Sequence, residues 1–96
     1  MKLLSIFFDA AIEDVVQEAL KKEEITCYVK VPRLLGKMRN CEPLLDTHVW
    51  PGHAVWYLVP LEQHQLEKCQ FTLKALRERY ADKGFKVFLF QVEEIP

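Results

Sequence analysis

Most of the chemically active side chains of this chain lie in one short segment, CEPLLDTHVWPGH, near its middle. The segment holds five side chains that could bind a transition metal: Cys41, Glu42, Asp46, His48 and His53. Neutral imidazole and carboxylate groups are common ligands of zinc, copper and nickel, and His48, His53 and Glu42 are the first candidates. The spacing matches no fixed ligand motif. A metal site, a ligand-binding loop and a plain connection therefore all remain open at this point.

A second group of residues could bind phosphate. Its basic members are Arg33, Lys37, Arg39 and Lys86. Gly36 would let the backbone come close to such a ligand. Trp50 is held extended by the following Pro51, and it could either stack on a planar ring or fill a subunit interface.

The hydrophobic pattern predicts the elements that must position these side chains, in the order β-α-β-β-α-β. The predicted strands, in which apolar side chains recur with a period of two, are residues 2–8, 25–31, 53–59 and 85–92. Asp9 is expected to cap the first helix, Pro60 to lie in the first turn of the second helix, and Gly84 to end it. This order predicts an α+β ferredoxin-like sandwich, a four-stranded antiparallel sheet with two helices on one face.

The composition narrows the class of protein. A chain of 96 residues fits a single domain, residues 1–96. With 13 basic and 14 acidic residues, the chain lacks the overall basic character of nucleic-acid binders. Cys27, Cys41 and Cys69 are odd in number and far apart, which favours free thiols in a reducing, cytoplasmic setting. We expect Cys41 to be the reachable thiol and Cys69 to lie in the core.

The predicted first, third and last strands are apolar on both faces. Leu3 and Phe7 oppose Leu4 and Phe8 on the first strand, and the other two strands show the same pattern. A sheet with helices on one side should carry polar residues on its other side. Exposing an apolar face to water is costly and promotes aggregation. We therefore expect a second sheet or subunit to cover it, in an obligate oligomer.

The connection formed by residues 32–52 is far longer than a hairpin loop of ~2–5 residues. Its successive elements are LGKMR (35–39), CEP (41–43) and THVWPGH (47–53). Together they resemble a branch of the PII-like signalling proteins with a short regulatory loop, in which a Gly-rich stretch precedes a Glu-Pro and a Thr-His-x-Trp-Pro element. The segment DKGFKV, residues 82–87, is similar to the basic loop that contacts nucleotide phosphates in PII proteins.

This resemblance implies a homotrimer in which small effectors bind in clefts between subunits and residues 32–52 signal to a partner. The effector would be an adenine nucleotide or a transition metal ion. The resemblance extends to proteins linked to heavy-metal efflux, so a membrane transporter is one candidate for the regulated partner. The ligand contacts implied are Gly36, Lys37, Arg39, Glu42, Thr47, Trp50, Lys83 and Lys86.

Other functions are weighed against this one. A CutA-like metal-binding trimer without nucleotide would share the architecture and use His48 and His53. A small enzyme of the dimeric ferredoxin-like kind would need a nucleophile–base pair or a cofactor fingerprint, and neither is visible, so we expect no enzymatic activity. An RNA-binding sandwich would carry an aromatic and basic pattern on its middle strands, which is missing, so no nucleic-acid partner is expected.

Overall fold

A computed structural model describes all residues, 1–96. The strands are β1 (Lys2–Asp9), β2 (Val29–Leu34), β3 (Ala54–Leu61) and β4 (Lys86–Gln91), and the helices are α1 (Glu13–Lys22) and α2 (Gln63–Arg79). Short 3-10 turns at Ala10–Ile12 and Ala81–Lys83 precede α1 and follow α2. The strands form one antiparallel sheet in the order β2-β3-β1-β4. The predicted ferredoxin-like sandwich is confirmed.

The core lies between the two helices and one face of the sheet. It contains Leu4, Ile6 and Phe8 of β1, Val55, Tyr57 and Val59 of β3, Val16 and Leu20 of α1, and Leu66, Cys69 and Leu73 of α2. These side chains are the ones that alternation on the strands and 3.6-residue spacing on the helices assign to the inner faces. Cys69 is buried in this core, as predicted. No helix in the chain is both long and apolar enough to cross a membrane.

Asp9 sets the start of the first helical segment. Its carboxylate accepts a hydrogen bond of 2.9 Å from the backbone N–H of Ala11, as expected of a cap. Gly84 has a φ of 66°, in the left-handed region, and it ends the turn that follows α2. The predicted cap at Asp9 is found on the turn that leads into α1, whereas α2 itself already ends at Arg79, before the turn that Gly84 closes.

A polar cluster fastens α1 to the sheet. The hydroxyl of Tyr57 donates to Glu13 at 2.6 Å, and the Nζ of Lys30 pairs with the same carboxylate oxygen at 2.7 Å. Gln17 donates to the Tyr57 oxygen at 3.0 Å. Burial alone would raise the pKa of Glu13, but the bonds from Lys30 and Tyr57 outweigh it and lower the pKa. Burial and the bond to Glu13 raise the pKa of Tyr57 and keep its hydroxyl protonated as a donor.

Two sequence predictions about element boundaries are wrong. β2 spans Val29–Leu34 rather than residues 25–31, because Ile25 turns into the core and its N–H bonds to Leu20 at 2.9 Å. Pro60 lies inside β3, opposite Leu3, and not in the first turn of α2. It is tolerated there because the pairing of β2 with β3 stops at Leu58, so β3 is an edge at this point.

The polar cluster predicts a pH dependence of stability. Glu13→Gln should lower the free energy of unfolding at pH 7 by about 1–2 kcal/mol, since it weakens two charge-assisted bonds. A carboxylate with a lowered pKa stabilises the fold fully above its unfolded value, and this contribution is lost as the pH falls through the folded value. The difference in free energy of unfolding between the wild type and the variant should therefore shrink as the pH falls below 4.5, the ordinary pKa of a Glu side chain. Urea titrations at pH 7 and pH 3 measure it, and a gap that is unchanged at pH 3 would contradict the assignment.

Candidate functional site

The face of the sheet away from the helices, here called the open face, is covered with apolar side chains. It carries Leu3, Phe7, Trp56, Leu58, Phe88 and Phe90. The rings of Phe7 and Trp56 stack at 5.3 Å, and Phe88 meets Phe7 edge-on at 6.2 Å. The indole N–H of Trp56 donates a hydrogen bond of 2.7 Å to the hydroxyl of Ser5, so this polar group has a partner on the otherwise apolar open face. Phe88 and Phe90 remain 52% and 53% exposed, so this chain alone does not cover its own open face.

The connecting loop, residues 35–53, has internal structure. Gly36 and Leu44 form an antiparallel bridge with hydrogen bonds of 2.8 and 2.9 Å. Cys41 and Leu44 are buried in a small cluster with Ala54 at the start of β3. An ion pair between Arg33 and Asp46 links the end of β2 to the second half of the loop. The loop is therefore packed on the sheet and forms a folded arm.

The tip of this arm is a tight turn. Thr47 closes it, because its Oγ1 accepts from the N–H of Trp50 at 2.9 Å and its own N–H donates to the Trp50 carbonyl at 2.9 Å. Such side-chain bonds are typical of Thr in turns. His48 and Val49, between them, are exposed, and Trp50 is 40% exposed. Thr47 thus shapes the turn, and its hydroxyl is engaged within the chain.

Met38 joins the connecting loop to the segment that enters β4. A Cβ placed on Gly84 would lie 2.6 Å from Cε of Met38 and 3.3 Å from Sγ of Cys41. Glycine at position 84 therefore serves two needs, the positive φ and the close approach of the loop. The next residue, Arg39, and the first residue of β4, Lys86, line one groove.

The seated loop and the open face enclose a groove of about 530 Å³, here called the basic groove. It is lined by Phe7, Met38, Arg39, Lys86 and Phe88. Neither Arg39 nor Lys86 belongs to an ion pair within the chain. Two unpaired cations beside two phenyl rings suit a ligand that combines an anionic group with a flat apolar ring. The volume falls in the range of ~300–1,000 Å³ that small-molecule sites occupy.

Charged side chains of both signs, Asp9 and Asp82 as well as Lys37 and Lys83, lie near the Cys41 thiol in the loop segment next to the groove. Burial raises the pKa of the Cys41 thiol, and Asp9 raises it further, while Lys37 and Lys83 act in the opposite direction. Both lysines therefore lie close enough to interact with Cys41 electrostatically. Lys37 directs its Nζ to the carbonyl of Met38 at 3.1 Å and does not line the groove.

The prediction that Cys41 is the reachable thiol is wrong, because Cys41 is buried and Cys27 is exposed.

The structure brings together only some of the ligand residues that the sequence suggested. Arg39 and Lys86 meet in the basic groove, and Lys83 lies just before it in the turn that leads to β4. Gly36 lies in the bridge with Leu44, and a Cβ there would meet nothing within 4 Å. Glu42, Thr47 and Trp50 are exposed on the arm and do not line this groove.

The candidate metal ligands are not assembled within one chain. No group of three or more His, Cys, Asp or Glu side chains lies close enough to hold a metal ion. His48 is exposed at the tip of the arm, and His53 lies at the start of β3, near enough to Glu13 to help lower the pKa of its carboxyl. The grouping of His48, His53 and Glu42 suggested by the sequence is therefore not found in this structure.

Three residues of the basic groove were not identified as site residues from the sequence, namely Phe7, Met38 and Phe88. Alternation on the strands already places Phe7 and Phe88 on the face away from the helices. Nothing in the sequence tells which end of that face the loop covers, because this depends on the seating of Met38 on Gly84. A usable signal was Gly84 between two basic residues, Lys83 and Lys86, at the entry to an aromatic strand.

No protein-family model and no curated protein sequence matches this chain. Several solved structures share its fold, however. The nitrogen regulatory PII-like protein CPII of Thiomonas intermedia, solved with ADP, AMP and bicarbonate bound, superposes with a TM-score of 0.75 at 14% identity. The match covers 95% of this chain and 84% of that one. Its apo form gives a TM-score of 0.69 at 12% identity, covering 95% and 87%.

A PII-like signalling protein of Thermus thermophilus also matches. Its TM-score is 0.65 at 18% identity, and the match covers 95% of this chain and 85% of that one. At such low identity the comparison establishes the fold alone. The resemblance to the PII-like proteins that was seen in the sequence is confirmed at that level.

The seating of the loop on Gly84 can be tested by substitution. Gly84→Ala should lower the free energy of unfolding by about 1–2 kcal/mol, because an L-residue is strained at this φ and the new methyl displaces Met38. Gly36→Ala is the matched control, since Gly36 has no positive φ and open space beside it, and it should be nearly neutral. Chemical denaturation measures both. Equal effects of the two variants would contradict the close contact at Gly84.

Proposed function

We propose that this chain, which has the fold of the PII-like signalling proteins, is itself a regulatory protein that binds an adenine nucleotide in the basic groove and passes its state to a partner through the connecting loop. It would act by binding, with no chemical step of its own. The observation that supports this most is the convergence of Arg39 and Lys86 with two phenyl rings beside a loop that is seated on the same segment.

The chemistry of the groove suits a nucleotide in particular. Phosphate groups would be bound by Arg39 and Lys86, since guanidinium and ammonium groups donate strong charge-assisted hydrogen bonds to phosphate oxygens. A purine ring would pack against Phe7 or Phe88, as stacking on an aromatic side chain requires only an accessible ring face. CPII, which shares this fold, was solved with ADP and AMP, so adenine nucleotides are the first ligands to test.

The position of the groove explains how ligand binding would change the conformation of the folded arm. Arg39 follows Met38, whose methyl group rests on Gly84 and which packs against the cluster of Cys41 and Leu44. A ligand that draws Arg39 toward its phosphates would shift Met38 and thereby the folded arm that ends in Thr47–Trp50. Binding and the conformation of the arm are thus physically connected, as an order–disorder or hinge switch requires.

We further propose that the open face is covered by the same face of neighbouring copies, in the homotrimer that the family resemblance implies. Each large apolar side chain removed from water contributes roughly 1.5–3 kcal/mol, and Phe88 and Phe90 remain about half exposed in the single chain. The basic groove opens on this face, so a neighbouring subunit would form its second wall. The arrangement would make the nucleotide site a cleft between subunits.

Nucleotide binding can be measured by isothermal titration calorimetry with ADP, AMP and ATP. Arg39→Ala and Lys86→Ala should each weaken the affinity for the best of these about tenfold or more, because each removes a charge-assisted contact with phosphate. Lys68→Ala is the matched control, since Lys68 pairs with Glu24 at the far side of α2 and should leave affinity unchanged. Absence of heat with all three nucleotides, or equal weakening by Lys68→Ala, would contradict the proposal.

The oligomer can be tested independently of the ligand. Multi-angle light scattering should give about three times the mass of the 11.3 kDa chain for the wild type. Phe88→Glu should reduce this mass, because it places a charge on the covered face. Phe71→Glu is the control, since Phe71 lies on α2, is 84% exposed and faces away from the sheet. A wild type that runs as a monomer, or a trimer that survives Phe88→Glu unchanged, would refute this assembly.

A further inference from the structure

A second groove lies on the helix side of the sheet, between α2 and β4, and it takes no part in the proposed nucleotide site. It has a volume of about 270 Å³ and an apolar floor that includes Leu66, Leu73 and Leu89. Gln70, Lys74 and Arg77 of α2 form its polar rim. Lys74 and Arg77 belong to none of the ion pairs in the chain, so the rim presents two free positive charges. We call this the edge groove.

The edge groove runs beside an unpaired strand edge. β4 pairs only with β1, so its outer backbone N–H and C=O groups have no strand partner. Leu89, whose side chain enters the groove, is 48% exposed. A strand edge with free hydrogen-bonding groups next to an apolar groove is the arrangement that accepts an added extended segment.

The C-terminal tail, residues 93–96, has the composition to fill this site. It reads Glu-Glu-Ile-Pro, and Ile95 is 91% exposed. Neither Glu93 nor Glu94 is in an ion pair. The tail therefore offers two free carboxylates and one large apolar side chain, and the groove offers two free cations and an apolar floor.

The tail cannot occupy the edge groove of its own chain. It continues directly from β4, and Val92 is still bound through its N–H to the carbonyl of Met1 at 3.1 Å. Turning back along the same strand requires a hairpin loop of at least two residues. Such a loop would take up Glu93 and Glu94, so Glu93 could not lie against Lys74 and Arg77 of its own chain. Glu93 can therefore meet Lys74 and Arg77 only on another copy.

We infer that the C-terminal tail of one copy docks as an extended strand on the β4 edge of a second copy, with Ile95 in the edge groove and Glu93 against Lys74 and Arg77. In an extended strand, residues two apart face the same side, so Glu93 and Ile95 point together into the groove and Glu94 points away. Such a contact is heterologous, and it can close into a ring. The inference does not depend on nucleotide binding, and it concerns a surface other than the open face.

A charge exchange tests the contact. Glu93→Lys and Lys74→Glu should each raise the dissociation constant of the oligomer about fivefold, measured by sedimentation velocity over a dilution series, and the double variant should return toward wild type. Glu94→Lys carries the same charge change on the opposite side of the tail, and it should leave the constant unchanged. Equal effects of Glu93→Lys and Glu94→Lys, no recovery in the double variant, or a monomeric wild type would overturn the inference.

Covalent capture gives a second readout that does not require the oligomer to dissociate. In a Cys27→Ser background, which removes the exposed native thiol, Lys74→Cys with Glu93→Cys should form linked dimers and larger species with a short bismaleimide. Lys74→Cys with Glu94→Cys should form far fewer. Only monomers on a denaturing gel for the Glu93 pair, or the same ladder for both pairs, would overturn the docking geometry even if calorimetry shows nucleotide binding.

Discussion

Phe7, Trp56 and Phe88 pack against one another on the side of the sheet that no helix covers. Each contributes a large apolar area, and leaving such an area in contact with water is energetically unfavourable. Because three of the strands are apolar on both faces, the side without helices needs a cover of its own. The connecting loop packs against Ala54 at the start of β3, and Met38 lines the basic groove together with Phe7 and Phe88. The proposed trimer and the proposed nucleotide site both depend on this one surface.

The loop is positioned by several small contacts. The bridge between Gly36 and Leu44, the ion pair of Arg33 with Asp46 and the seating of Met38 on Gly84 hold its base, while the turn at Thr47 is closed only by its own bonds. An exposed ion pair contributes at most about 1 kcal/mol, so the pair of Arg33 with Asp46 does not by itself fix the arm. The base of the loop is thus bound to the sheet, whereas its tip is held only by bonds within the turn. This arrangement suits a loop whose tip changes conformation when a ligand binds beside its base.

The sequence predicted the architecture well because periodicity reports directly on burial. Alternation in β1, β3 and β4, the Asp9 cap and the left-handed Gly84 were all recognisable from residue type. Pro60 was misplaced because β3 can accept a proline only where β2 no longer pairs with it. The end of that pairing is set by the tertiary structure and is not visible in the local sequence. The site was predicted only in part for the same reason. Arg39 and Lys86 were recognised as cations, but their convergence with Phe7 and Phe88 depends on contacts between residues far apart in the chain.

In the proposed function, the uncovered aromatic face and two unpaired cations form one nucleotide site. A crystal structure grown with saturating ADP would show whether ADP binds there. We expect an adenine ring packed on Phe7 or Phe88, with phosphate oxygens within hydrogen-bonding distance of Arg39 and Lys86, and a neighbouring subunit closing the groove. A nucleotide bound elsewhere with the basic groove empty, or a crystal that contains no nucleotide, would contradict it.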